Sequence, residues 1–313
     1  MSPLCRRRFP AFCIRASEPI RKDVTRLATI KQPADKIALI TDSASDLTPE
    51  QRKQYGIFSV PLRIVYKSGE YRDGIEISPS EVYARMPGEV PSTSLPLPDD
   101  VCELYDRLAD EGYTRAVHIC ISSGLSGTYN MVRLLGAEHS RLAVTVVDSK
   151  VLSMGEGMLV LECAKTLQET GSIPLAVERL RQIRKGMLGA FIIRTLEYLR
   201  KGGRIGLVES VLGSMLNLKP VIFVNDDGVY QTLAKARGFN SARTTLLEEF
   251  RRRYGERPVH ISVVHGQAQE EAERLLEAAK STLNAVSGFV AQVSPVLGAH
   301  TGPSLLGLIA YEA

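Results

Sequence analysis

Ile119-Cys120-Ile121-Ser122-Ser123-Gly124-Leu125-Ser126-Gly127-Thr128-Tyr129 joins an apolar run, Ala116 to Ile121, to a helical pattern, Tyr129 to Ala137. That order is strand, small-residue loop, helix. In a parallel α/β sheet such a loop lies at the carboxyl ends of the strands, where ligands bind. Its small residues let backbone N–H groups come close to a ligand, and the start of a helix favours negative charge. Three serines and a threonine add hydroxyl groups. The stretch reads as an oxyanion cradle, for a carboxylate. The same composition also suits a helix cap and a tight turn.

Upstream, Ile37 to Ile40 is a short buried strand, with Asp42 at its carboxyl end and Asp46 or Thr48 placed to cap a helix near Pro49. Asp42 by itself supports structural hydrogen bonding rather than metal binding. Ile57 to Tyr66 reads as the next strand, residues 67–70 as a turn, 71–74 as a loop and Ser80 to Met86 as a helix. Two prolines hold Pro91-Ser92-Thr93-Ser94-Leu95-Pro96 extended. Its hydroxyls either face a cleft or cap the helix 99–112. Downstream, Ala143 to Val147 is a strand, Met154 to Thr170 a helix, and Gly171-Ser172-Ile173-Pro174 its stop and a linker. Strands and helices alternate with crossovers long enough for βαβ units. Residues 36–171 are therefore expected to form a parallel-sheet, three-layer α/β domain.

In residues 172–313, Ala176 to Gly186 is helical, 190–193 a short strand, and 196–206 a helix ending at Gly202 and Gly203. Leu218 to Val224 and Val229 to Ala236, joined at Asp227-Gly228, read as a hairpin. Ser241 to Tyr254 is a helix, Val259 to His265 a strand, Gln269 to Ser281 a helix and Gly288 to Val293 a strand. Ser294 to Leu306 reads as a Gly/Pro loop holding His300, before a last strand, Gly307 to Tyr311, that closes the sheet. The expectation is a second α/β domain with a mixed sheet.

The net charge of +4 is unevenly placed. Residues 1–36 hold nine Lys/Arg against three acids, so the rest of the chain is slightly acidic. Such a body has no general electrostatic reason to bind nucleic acid. Residues 1–35 read as a basic flexible extension and lack the apolar core of a signal peptide. Five scattered Cys without a CxxC pair argue for reduced thiols in a cytoplasmic compartment. No stretch approaches the roughly 20 apolar residues that insert stably in a membrane. His118, His139, His260 and His265 form no spaced metal set, and no metal or cofactor is implied.

Six segments in this order resemble the DegV family of bacterial fatty-acid-binding proteins. They are residues 41–47 (Thr-Asp-Ser-Ala-Ser-Asp-Leu), 71–74 (Tyr-Arg-Asp-Gly), Thr93-Ser94, Ile121 to Tyr129, Leu196 to Ile205 and residues 298–303 (Gly-Ala-His-Thr-Gly-Pro). The resemblance covers residues 36 to 313. It implies two α/β domains around one long-chain fatty acid of the palmitate, stearate or oleate type. The tail would lie in an apolar tunnel in the first domain, the carboxylate near the domain boundary. It implies a lipid-carrying subunit without catalysis of its own. An ATP-binding fatty acid kinase partner would phosphorylate the bound carboxylate to an acyl phosphate that feeds phospholipid synthesis. Thr93, Ser94, Ser126, Gly127 and His300 would bind the carboxylate, and Arg204 would lie beside it or on the kinase-facing surface. Two positions depart from the family pattern: Leu95 stands where Gln is usual after Thr-Ser, and Ser304 where Gly is usual after Gly-Pro.

The alternative activity is a serine hydrolase or acyltransferase built on Ser126 with His300 as base. A nucleophile elbow needs G-x-S-x-G. Gly124-Leu125-Ser126-Gly127-Thr128 places the second glycine one position early. A nucleotide-binding reading of the same loop, or of Gly202-Gly203-Arg204, lacks both the P-loop and the dinucleotide glycine pattern.

Overall fold

The computed structural model describes residues 36–211 and 217–313. The extension read in residues 1–35 lies outside the described residues. The chain runs β1 (Ile37–Asp42), α1 (Pro49–Tyr55), β2 (Ile57–Val60), β3 (Arg63–Tyr66), β4 (Gly69–Arg72), α2 (Pro79–Arg85), β5 (Ser92–Ser94), α3 (Pro98–Asp110), β6 (Arg115–Cys120), α4 (Thr128–Glu138), β7 (Ala143–Asp148) and α5 (Met154–Thr170). It continues through α6 (Ile173–Gly186), β8 (Leu188–Ile192), α7 (Glu197–Lys201), β9 (Leu218–Val224), β10 (Tyr230–Arg237), α8 (Phe239–Tyr254), β11 (Val259–His265), α9 (Gln269–Thr282), β12 (Ala285–Gln292), α10 (Pro295–Thr301) and β13 (Leu306–Glu312).

The first sheet is parallel, in the order β2-β1-β6-β7. Strand alternation splits its residues between two apolar layers. Ala38, Ile40, Ala116 and Cys120 pack with Leu104, Tyr105 and Leu108 of α3 and Val132 of α4. Leu39, Val117 and Ile119 pack on the other face with Met154, Met158 and Leu159 of α5. Local signals set the helix starts. Thr48 with Gln51 and Ser78 with Glu81 are capping boxes, each followed by a proline.

The second sheet is mixed, in the order β10-β9-β8-β13-β11-β12, with β11 and β12 parallel and every other pair antiparallel. One face, including Ala190, Ile192, Ile261 and Leu308, is covered by Leu246 and Phe250 of α8 and Leu275 of α9. The other face, including Phe191, Ile222, Val264 and Ile309, joins the apolar layer under α5. The boundary expected at 171/172 falls between α5 and α6. Gly171 caps α5 in the left-handed conformation, and α6 folds back against α5.

Four readings of the sequence are corrected. Residues 57–66 are two strands rather than one, broken around Pro61, whose ring leaves no ladder N–H. Residues 69–72, expected as turn and loop, form β4. With β3 and β5 it makes a small antiparallel sheet, β4-β3-β5. Residues 295–301 are the helix α10 rather than a loop, started by Pro295 at its first position. The last strand, β13, lies between β8 and β11. Helix α7 also ends at Lys201, earlier than the expected 206.

Ser304 has a left-handed backbone, φ 71°, where a glycine carries no Cβ strain. Relief of roughly 1–2 kcal/mol of strain, set against roughly 0.5–1 kcal/mol of extra unfolded-chain entropy, makes Ser304→Gly stabilising. A rise of about 0.5–1 kcal/mol in denaturant unfolding is expected; a loss would show that the serine side chain is needed there.

Candidate functional site

Thr93 is placed by β5, which pairs antiparallel with β3 so that Thr93 stands opposite the fully buried Ile64. The hydroxyls of this strand do not cap α3. Its N-cap is Leu97, with no side-chain bond. Instead the Thr93 Oγ1 lies 2.7 Å from His300 Nε2, joining the small sheet to α10. Leu95, the first departure from the family pattern, packs 3.6 Å from where a Cβ on Gly127 would stand.

The central loop divides its hydroxyls between two tasks. Ser122 is fully buried and its Oγ donates to the Gly228 carbonyl at 2.7 Å, fixing the loop to the β9–β10 turn. Gly124 permits this approach; a Cβ there would stand 2.7 Å from the Gly228 oxygen. Ser123 Oγ accepts from Lys150 Nζ at 3.0 Å. Ser126, two positions before α4 begins, has its Oγ 2.8 Å from Thr128 Oγ1 and accepts the Thr128 N–H at 3.3 Å.

His300 is almost wholly buried, at 9% exposure, and its Nδ1 has no hydrogen-bond partner among the described residues. That nitrogen abuts Gly202, where any Cβ would collide with the ring. Burial and the nearby Arg204 charge push the imidazole down to about 4, so it is neutral near pH 7. An orphaned buried N–H is rarer than an under-satisfied acceptor. The single ring proton therefore belongs on Nε2, which donates to Thr93 Oγ1 and leaves the Thr93 O–H to point elsewhere. Arg204 ties the loop after α7 to the central loop: its Nη1 donates to the Gly202 carbonyl at 2.7 Å and its Nε to the Leu125 carbonyl at 3.4 Å.

All six residues singled out in the sequence, Thr93, Ser94, Ser126, Gly127, Arg204 and His300, line one pocket of about 140 Å³ between the two sheets. Leu152, Tyr230 and Leu297 line it too, and the same three residues wall a neighbouring apolar cavity of about 50 Å³. The floor of that cavity is the face of the second sheet formed by Phe191, Val224, Val264 and Ile309, and its roof includes Val151 and Gly155. This apolar cavity lies between the sheets, with most of its lining from the second half of the chain. Burial raises the Tyr230 hydroxyl, so it is a neutral group at the junction. Leu152, Tyr230 and Leu297 carried no signal in the sequence. Apolar residues that fill a core and those that wall a cavity follow the same pattern.

Comparison with known proteins agrees with this architecture. The family model for uncharacterised proteins of the DegV family matches residues 36–313. A DegV domain-containing protein of Clostridium acetobutylicum is 41% identical over 278 residues, 89% of this chain and 99% of that protein. A fatty-acid-binding DegV-family protein from Thermus thermophilus has a similar structure, with TM-score 0.83 and 34% identity over 88% of this chain and 99% of its own. A stearic-acid-binding protein from Eubacterium ventriosum superposes with TM-score 0.80 at 26% identity, over 88% and 98% of the two chains. The chain belongs to the DegV family. Among the described residues no helix is long and apolar enough to cross a membrane.

The His300 geometry is open to direct measurement. In ring-labelled protein its NMR signals should not titrate between pH 8 and about 5, because burial holds the imidazole neutral. A midpoint near the ordinary value of 6.5 would place the ring in water instead.

Proposed function

We propose that this chain binds one long-chain fatty acid and presents its carboxylate to an ATP-dependent kinase partner that forms the acyl phosphate. The observation that carries the reading is the polar pocket lying beside an apolar cavity, with Leu152, Tyr230 and Leu297 lining both. The bound protein from Thermus thermophilus and the stearic-acid-binding protein from Eubacterium ventriosum support the ligand class.

The physical logic follows from the two halves of the ligand. A buried carboxylate must be hydrogen-bonded or it takes up a proton. Thr93 and Ser126 offer hydroxyl donors, Gly127 offers an amide at a helix start, and Arg204 offers a positive charge. Neutral His300, donating to Thr93, turns the threonine proton toward the carboxylate. Each buried methylene contributes about 0.8 kcal/mol, so a C16–C18 tail gains roughly 11–13 kcal/mol before ordering costs. The tail dominates affinity and the hydroxyls set orientation. The carboxylate remains near the half-buried Arg204 and the exposed Ser94 and Gly127, where a second protein has access.

The hydrolase reading draws no support from the geometry. His300 Nε2 is engaged with Thr93, and the partner of the Ser126 hydroxyl is Thr128. A carrier without chemistry of its own accounts for both pairings.

Mass spectrometry of an organic extract of the purified protein tests the proposal, with near-stoichiometric long-chain fatty acid expected. An empty extract, and no binding of added palmitate or oleate, would overturn it. Thr93→Val and Ser126→Ala should each weaken palmitate binding about tenfold, the scale of a hydrogen bond to a charged group. Turnover of p-nitrophenyl esters that vanishes in Ser126→Ala would favour the hydrolase instead.

A further inference from the structure

The amino end of α10 has no capping side chain of its own. Its first free amides are instead taken by two carboxylates from the other end of the chain. Asp46 Oδ1 accepts the Ser294 N–H at 2.7 Å, and Asp73 Oδ1 accepts the Val296 N–H at 2.8 Å. Pro295, between them, has no N–H to place. Both carboxylates are buried, at 8% and 2% exposure. Asp46 holds its position from a left-handed backbone, φ 55°, at the end of the 3-10 turn Ser43–Ser45, and its other oxygen accepts from Ser153 Oγ. On its flank α10 is met by Tyr83 of α2, whose hydroxyl would stand 2.7 Å from a Cβ on Gly298.

His300 lies one helical turn beyond Val296, on the same face. Val296, Leu297 and His300 all line the carboxylate pocket. A seven-residue helix is too short to hold its own place by internal hydrogen bonds. Its rotation and depth are therefore set by what grips its ends. Gly202 leaves no slack at the other side of the ring.

We propose that Asp46 and Asp73 are positioning residues for the carboxylate pocket, fixing the amino end of α10 so that His300 Nε2 meets Thr93 Oγ1. The proposal rests on the reading of that pocket as a carboxylate site. Neither aspartate touches the ligand; both act through α10. Asp73 uses one oxygen on the helix, and an asparagine keeps that acceptor. Asp46 uses both oxygens, so an asparagine there keeps only one of its two bonds.

The test pairs two readouts on delipidated protein: the His300 ring resonances, and the affinities for palmitate and for methyl palmitate. Asp73→Ala should move the His300 resonances and shift its titration from about 4 toward 6.5. It should weaken palmitate binding about tenfold while changing methyl palmitate binding by less than about twofold, since the ester carries no charge to orient. Asp73→Asn should restore both readouts, and Asp46→Asn should restore them only in part. Asp73→Glu keeps the carboxyl group and the acceptor but displaces α10 by about a methylene, so it should reproduce the Asp73→Ala pattern even if the alanine variant fails to fold. Unchanged His300 resonances in folded Asp73→Ala or Asp73→Glu, or equal losses for acid and ester, would overturn the proposal. If the wild-type protein binds neither lipid, the fatty-acid reading fails and the His300 resonances alone decide the positioning role.

Discussion

The hydrogen bond between Thr93 and His300 spans 207 positions of chain and depends on a seven-residue helix wedged between two sheets. Thr93 reaches it from a three-stranded antiparallel sheet appended to the first half. His300 reaches it from α10, which leads into β13 in the middle of the second sheet. Displace α10 by one ångström and the imidazole loses Thr93 or drives into Gly202. The bond also decides protonation. Burial makes the ring neutral, and a neutral ring with Nδ1 against Gly202 has one proton to give, toward Thr93.

The space around α10 is arranged by polarity. On one side the pocket carries hydroxyls, a helix start and Arg204. Next to it the apolar cavity is walled by the inner face of the second sheet. Leu152, Tyr230 and Leu297 stand where the two meet. An amphiphile with an anionic head and a long tail matches that division, because each half finds the environment that its transfer free energy favours. The cavity exists because neither sheet fills the gap alone. Gly155 and Gly189, which carry no side chain, are part of its wall.

Docking of the two halves is also polar at its margins. Ser122 donates to Gly228, Arg204 donates to Leu125, and Asp46 and Asp73 accept from the start of α10. Buried groups of this kind must be paired to be tolerated. Each bond therefore specifies one relative placement of the elements that it joins.

Much of this was legible in residue order. The short apolar runs at 37–40 and 116–121, the Thr48 cap, the Asp-Gly hairpin and the Ser/Gly loop before α4 are local signals, and local sterics and hydrogen bonds produced those elements. The six motif residues could be named because their types carry chemistry. Others could not. The run 57–66 hid a break at Pro61, and Gly298, Gly302 and Pro303 disguised α10 as a loop because its stability comes from distant carboxylates rather than from propensity. The sequence by itself determined the alternation of strands and helices, the mixed second sheet and the candidate polar residues. Tertiary structure alone decided that β13 runs through the middle of its sheet, that the apolar space lies between the halves, and that Asp46 and Asp73 hold the helix bearing His300. Those facts depend on contacts between residues far apart in the chain, and a linear pattern records no such distance.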